Sequence, residues 1–293
     1  MRSLAAHLDD IQRRLDALAR QHDVPGAALA VSRGDELLEF ATGVISTRTG
    51  VAATTDTVFQ IGSNTKLMTT TLIMQLVEAG RADLDAPVRR YVPSLELAEP
   101  EVAGQITLRH LLTHTSGIEG DYFAEFGRGD DATARYVRSL ATVGLIHRPG
   151  QLWSYCNAGF VIAGRVIEKL TGLTWDAALR EKLYRPLGLT HTVTLAEEAL
   201  LFRTAAGHVD VTGDPVLAPV WQPPRSIGPA GMICSTPAEV LAFARMHLAG
   251  GLAPDGTRVL SAESAAAMTR LEAELPDKIV TDACDEVSEN GPV

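Results

Sequence analysis

Residues 58–80 read VFQIGSNTKLMTTTLIMQLVEAG. From Asn64 to Ala79 the apolar residues Leu67, Met68, Leu72, Ile73, Leu76 and Val77 follow a helical period, and Gly80 supplies a stop, so the spacing predicts a helix. Val58, Phe59 and Gln60 predict a short strand leading into it. Ser63 stands where the helix begins and Lys66 follows one turn later, and positions i and i+3 are neighbours on a helix face. A serine hydroxyl must lose its proton to attack a carbonyl, and an amine kept neutral by burial can take that proton. The positive end of the helix favours the anion that develops. Ser63 as a simple helix cap and Lys66 as a surface cation fit the same spacing, so this stretch alone leaves both readings open.

A second stretch bears on the choice. In PGQLWSYCNAGF, residues 149–160, Tyr155 and Asn157 lie two apart, just before the apolar helical pattern NAGFVIAGRVIEKLTG that Gly172 closes. In an extended segment residues i and i+2 point to one side, so a phenol and an amide would face one cleft. A phenol can relay protons, and an amide can hold a substrate amide or the lysine. Taken alone, the pair is a weak signal, because a core tyrosine and a capping asparagine are the more common outcome.

Working outward, the N-terminal stretch carries charges throughout and has no apolar core, so it is not read as a signal peptide. Leu4, Leu8, Ile11, Leu15 and Leu18 recur at helical spacing and predict an amphipathic helix packed on the domain. GAALAVSRGDELLEFATGV predicts two strands around the turn Arg33-Gly34-Asp35-Glu36. A helix is expected over TLRHLLTHTSG (107–117) from a Thr107 cap, then an irregular segment from Ile118 to Gly150. Another is expected over TPAEVLAFARMHLAGG (236–251), with Thr236 as cap, Pro237 at its first position and Glu239 completing a capping box. A last helix is expected over 261–275, and the acidic stretch 276–293 reads as a disordered tail.

Composition narrows the function classes. Charged residues at 21% and apolar residues at 46% describe a globular chain. A net charge of −10 argues against nucleic-acid binding, which needs a basic surface. No apolar run is long enough to span a membrane. Cys156, Cys234 and Cys284 are scattered and without CxxC spacing, which reads as reduced thiols and a cytoplasmic setting.

In order along the chain come Ser63-x-x-Lys66, LLTHTSG (111–117), PG-x-x-x-x-Tyr-x-Asn ending at Asn157, and PAG-x-x-x-ST-P (229–237). This set resembles the beta-lactamase-related serine hydrolases, a group that includes class C beta-lactamases, DD-peptidases and carboxylesterases. The resemblance runs from about Val24 to about Leu275. It implies an α+β fold, an antiparallel sheet flanked by helices with a mostly helical lobe inserted. Residues 1–80 and 205–275 would then form the α/β lobe that carries the nucleophile, and 81–204 the helical lobe that carries Tyr-x-Asn. It further implies that Ser63 is the acylated nucleophile, Lys66 and Tyr155 the base and proton relay, and Asn157 a substrate-contacting amide. The Ser63 backbone N–H would be one oxyanion donor.

One family feature is missing. Members of that group carry a Lys or His, one residue, then Gly on a late strand that supplies the second oxyanion N–H. Lys169-Leu170-Thr171-Gly172 has the wrong spacing, and Val211-Thr212-Gly213 lacks the cation and precedes the PAG segment. Loss of one such donor costs about 3–4 kcal/mol of transition-state stabilisation. Without those late strands the N-terminal hairpin would keep an unpaired edge, open to pairing with another chain and so to oligomers. A truncated product, a partner that completes the sheet, and a chain that folds without full activity all fit.

Other residues carry weaker signals. His110 and His114 lie four apart, but no Glu follows the first, so the zinc-protease pattern is unmet and no metal is expected. No Gly-x-Ser-x-Gly elbow is present. Cys156 lacks a histidine partner and reads as a small filler, and Ser116 as a structural hydrogen-bonder. Tyr122, Phe123 and Trp221 are candidates for pocket walls. The expectation is a cofactor-free serine hydrolase of small carboxylic esters or amides. The alternative is a truncated or impaired relative that binds a ligand or partner.

Overall fold

The computed structural model describes residues 4–211 and 213–275. Helix α1 (Leu8–Gln21) lies against strand β2 (Glu36–Gly43), which pairs antiparallel with β1 (Gly26–Arg33) along all eight residues around the Gly34-Asp35 turn. Gln12 Nε2 donates to Ala41 O at 3.1 Å and ties the helix to the hairpin. The two-residue strand β3 (Phe59–Gln60) leads through a 3₁₀ turn, Gly62–Asn64, into α2 (Thr65–Glu78).

After α2 the chain is mostly helical. α3 (Leu108–Leu112) and α4 (Ala132–Ser139) precede α5 (Asn157–Thr171), which ends at Gly172 in the left-handed conformation (φ 76°) that glycine adopts without cost. A small hairpin follows, β4 (His208–Asp210) with β5 (Pro215–Leu217). Strand β6 (Cys234–Ser235) returns to pair antiparallel with β3, and α6 (Pro237–Leu248) and α7 (Ala262–Ala267) follow.

The core sits between α2 and α5. Met68, Leu72, Ile73 and Leu76 of α2 pack with Phe160, Val161, Ile162, Val166 and Ile167 of α5, all buried. Each such side chain contributes about 1.5–3 kcal/mol of burial, so this packing anchors the two helices that carry Lys66 and Asn157. The fold is α+β, with antiparallel pairing in the three two-stranded sheets found among the described residues.

The edge of β1 away from β2 has no strand partner among the described residues. It faces Val240, Leu241 and Ala244 of α6 across a groove of about 600 Å³ that reaches Phe59, Ile61 and Asn64.

Four local expectations need correction. The helix expected over 107–117 stops at Leu112, because His114 takes a left-handed backbone conformation (φ 58°) and Thr115 N–H returns to His110 O. The segment 118–150 contains α4, whose buried Ala132, Tyr136 and Val137 supply a helical period. The helix expected over 261–275 ends at Ala267, and Glu272 beyond it pairs with Arg109. Thr236 does cap α6, but the Glu239 carboxylate accepts instead from the N–H groups of Thr190 (2.7 Å) and His191 (2.8 Å) and from Thr192 Oγ1. The expected tail 276–293, with Cys284, lies outside the described residues, while Cys156 and Cys234 are free and buried. No helix among the described residues is long and apolar enough to cross a membrane.

Candidate active site

Ser63 sits in the 3₁₀ turn that opens α2, exposed, with Lys66 buried one turn on. Lys66 Nζ donates to Ser63 Oγ at 3.0 Å, to Asn157 Oδ1 at 2.8 Å and to Ala230 O at 2.8 Å. Tyr155 Oη donates to the same Ser63 Oγ at 2.6 Å. The four residues singled out from the sequence are thus brought into one cluster, in which both the amine and the phenol reach the serine oxygen.

The electrostatics follow from what surrounds the amine. No carboxylate among the described residues pairs with Lys66, and burial disfavours its charged form, which holds its pKa below the ordinary lysine range; Tyr155, Cys156 and Asp121 act the other way without reversing it. The Nζ also lies 4.7 Å from the centre of the Tyr155 ring and 5.6 Å from that of Phe160. A lysine so placed gives up its proton more readily than a solvated one, which is the property a general base requires.

His114 explains why Tyr155 is held where it is. Its imidazole stacks on the Tyr155 ring, centroids 4.4 Å apart, and its backbone O accepts from Ser154 N–H at 2.8 Å. Cys156 N–H donates to His114 Nδ1 at 2.9 Å, which requires that nitrogen to be unprotonated. Burial, and secondarily the charge of Lys66, push the His114 pKa down to about 4, so the ring is neutral at pH 7. His110 serves its own turn, its Nδ1 accepting from Thr107 N–H while Thr107 Oγ1 accepts from His110 N–H. Both histidines are engaged locally, and no cluster of metal-ligating side chains is found among the described residues.

Cys156 Sγ accepts from Gly159 N–H and caps α5 from a fully buried position. Burial raises its thiol pKa, opposite to what a nucleophile needs. Ser116 is buried, with Oγ toward Ile118 N–H at 3.4 Å. Of the aromatic candidates, Phe123 is 61% exposed, Tyr122 packs on Tyr136, and Trp221 lines a cavity of about 280 Å³ with Pro224 and Met232. A larger cavity, about 340 Å³, is walled by Leu67, Leu112, His114, Trp153 and Met268. His114 and Trp153 both flank Tyr155, so this cavity adjoins the cluster.

Two participants were not singled out from the sequence. The Ala230 carbonyl lies in the PAG segment, a motif to which the sequence attaches no role, and Asp121 has no motif at all. Asn157 Nδ2 donates to Asp121 Oδ1 at 3.1 Å, which fixes the amide with its oxygen toward Lys66.

The family profile described as Beta-lactamase matches residues 11–280. The chain belongs to the beta-lactamase family. It is 54% identical to Penicillin-binding protein 4 of Amycolatopsis lactamdurans over 259 residues, covering 88% of this chain and 68% of that protein. It is 33% identical to Esterase EstB of Burkholderia gladioli over 64% of this chain and 50% of that protein. The crystal structure of D-amino acid amidase from Ochrobactrum anthropi SV3 complexed with D-phenylalanine superposes with a TM-score of 0.75 at 26% identity, covering 92% of this chain and 77% of that one. The beta-lactamase family chain described here therefore spans half to about two thirds of the length of those two relatives.

Proposed function

We propose that this chain is a serine hydrolase that cleaves small carboxylic esters or amides through an acyl-enzyme on Ser63. The observation that carries the reading is the pair of hydrogen bonds to one exposed oxygen, from Lys66 Nζ at 3.0 Å and Tyr155 Oη at 2.6 Å. Ser63 Oγ attacks the carbonyl carbon while its proton passes to the Lys66–Tyr155 pair. The buried amine, held below its ordinary pKa, is the group best suited to turn from donor to acceptor. The carbonyl π electrons move to oxygen, which the Ser63 backbone N–H at the positive end of α2 stabilises. The relayed proton goes from Tyr155 to the leaving alcohol or amine as its bond to carbon breaks. Water then attacks the acyl carbon by the same route in reverse and frees Ser63. Asn157 holds the Lys66 amine with its oxygen and has a second amide hydrogen for the substrate.

The names of the relatives, a penicillin-binding protein, an esterase and an amidase, support this carbonyl class, with beta-lactam opening as a side reaction of the same chemistry. The second reading, a relative that binds a ligand or partner without turnover, draws on the unmatched Lys/His-x-Gly pattern and on the edge of β1 that has no strand partner among the described residues. Turnover of p-nitrophenyl acetate and of a chromogenic beta-lactam by the chain and by Ser63→Ala separates them. The hydrolase reading expects turnover lost in the variant; equal rates, or none in a folded wild-type sample, overturn it.

A further inference from the structure

We infer that the site takes substrates with a cationic amine close to the scissile carbonyl, and that the carboxylate of Asp121 receives that amine. The inference rests on the hydrolase reading for the nature of the reaction, but its binding half stands apart from it.

The placement of Asp121 is fixed by its neighbours. Gly120 O accepts from Asn157 N–H at 3.1 Å and Ala158 N–H at 3.3 Å, the first two residues of α5. A Cβ at position 120 would stand 2.3 Å from Tyr155 O, so the chain is pressed against the Tyr155–Cys156 backbone at a point only glycine permits. Asp121 therefore follows a pinned residue and stands exposed beside the cluster, one hydrogen bond from Asn157 and two from Lys66.

Its charge has no partner among the described residues. Several carboxylates elsewhere in the fold are answered by an arginine: Asp130 and Asp176 by Arg225, Asp85 and Glu272 by Arg109, Glu197 by Arg128. Asp121 accepts from one neutral amide and forms no ion pair. Lys66, the nearby cation, already donates to three acceptors, and Asn157 stands between the two. An unanswered carboxylate beside the nucleophile opposes the negative charge that builds on an attacked carbonyl oxygen. A substrate ammonium cancels that opposition and gains a charge-assisted hydrogen bond on a group already in position. The chemical class is thus esters or amides of amino acids, or peptides with a free terminal amine.

The test compares the methyl esters of phenylalanine, in each hand, with that of 3-phenylpropionic acid, which differ only by the ammonium. kcat/KM is read from the released acid. Wild type is expected to prefer at least one aminoacyl ester by about tenfold, and Asp121→Asn, which keeps an oxygen for Asn157 Nδ2, to bring that ratio near unity through KM. A wild-type ratio near unity overturns the inference. So does a ratio that persists in Asp121→Asn while both rates fall, because Asp121 would then only position Asn157. Should the wild-type chain turn over neither ester, the hydrolase reading fails, and titration calorimetry with phenylalaninamide and 3-phenylpropanamide decides the binding half. Tighter binding of the ammonium ligand, lost in Asp121→Asn, upholds it; equal binding, or none, overturns it.

Discussion

Gly164 lies inside α5 where the helix meets the PAG segment, and a Cβ built there would stand 2.2 Å from Pro229 Cγ and 2.6 Å from its Cβ. Gly164→Ala sets two effects against each other. Alanine in a helix interior gains about 0.8–1 kcal/mol over glycine. Overpacking a filled contact costs about 1–3 kcal/mol, and the neighbour here is a ring that cannot rotate aside. At a contact this short the clash wins, for a net loss of up to about 2 kcal/mol. The consequence reaches the site, because Pro229 O accepts from Thr69 Oγ1 at 2.9 Å and the next carbonyl, Ala230 O, accepts from Lys66 Nζ. Moving that segment by about 1 Å misplaces the amine, and misplacements of this size cost about 100-fold in rate. Gly159→Ala is the control, since its added Cβ meets nothing closer than 3.5 Å in the same helix. Urea denaturation and the rate of fluorophosphonate labelling are the assays. Gly164→Ala should be less stable and label far more slowly, whereas Gly159→Ala should be neutral or more stable and label normally. A Gly164→Ala chain stabilised like the control, with an unchanged labelling rate, refutes the coupling between this packing contact and the lysine.

Further predictions concern His114 and Glu239. The folded chain holds His114 near 4 and the unfolded chain near 6.5, so the unfolded state binds the extra proton between those values. Stability from this group is complete above pH 6.5 and is lost as pH falls toward 4, about 3 kcal/mol in all. The difference between wild type and His114→Gln in urea denaturation should narrow across that window, and a pH-independent difference would contradict the neutral, bonded ring. Glu239→Ala removes the acceptor for Thr190 N–H, His191 N–H and Thr192 Oγ1 and should cost about 1–3 kcal/mol. A loss of unfolding free energy below about 0.5 kcal/mol in urea denaturation, about half the smallest expected loss, would mean that water replaces it.

How much of this was legible in the sequence depended on the range of the interaction. The helical stretches 64–79 and 157–172 announced themselves because their apolar residues face one another in the core and no distant contact overrides the pattern. The hairpin at Gly34-Asp35 was equally local. α4 is hard to see in the sequence because its eight residues follow Gly-Arg-Gly-Asp-Asp, and turn chemistry masks a short buried face. The sequence predicts helix to the end of 261–275 because Glu272 fits a helical pattern, while its pairing with Arg109, 163 residues away, cannot be seen in sequence. The site shows the same division. Residue types and spacing singled out Ser63, Lys66, Tyr155 and Asn157. The Ala230 carbonyl, 164 residues from Lys66, is a backbone contact that leaves no side-chain signature. The stacking of His114 on Tyr155 depends on a positive φ that a non-glycine residue rarely adopts, which is why the helix expected through Gly117 hid it.

The central claim is that Ser63 is an activated nucleophile, and intact-mass spectrometry after incubation with a fluorophosphonate tests it most directly. The account predicts one adduct on the parent chain and none on Ser63→Ala, with Lys66→Ala labelling much more slowly. A folded wild-type chain that stays unmodified, or a Ser63→Ala chain that labels at the parent rate, would contradict it.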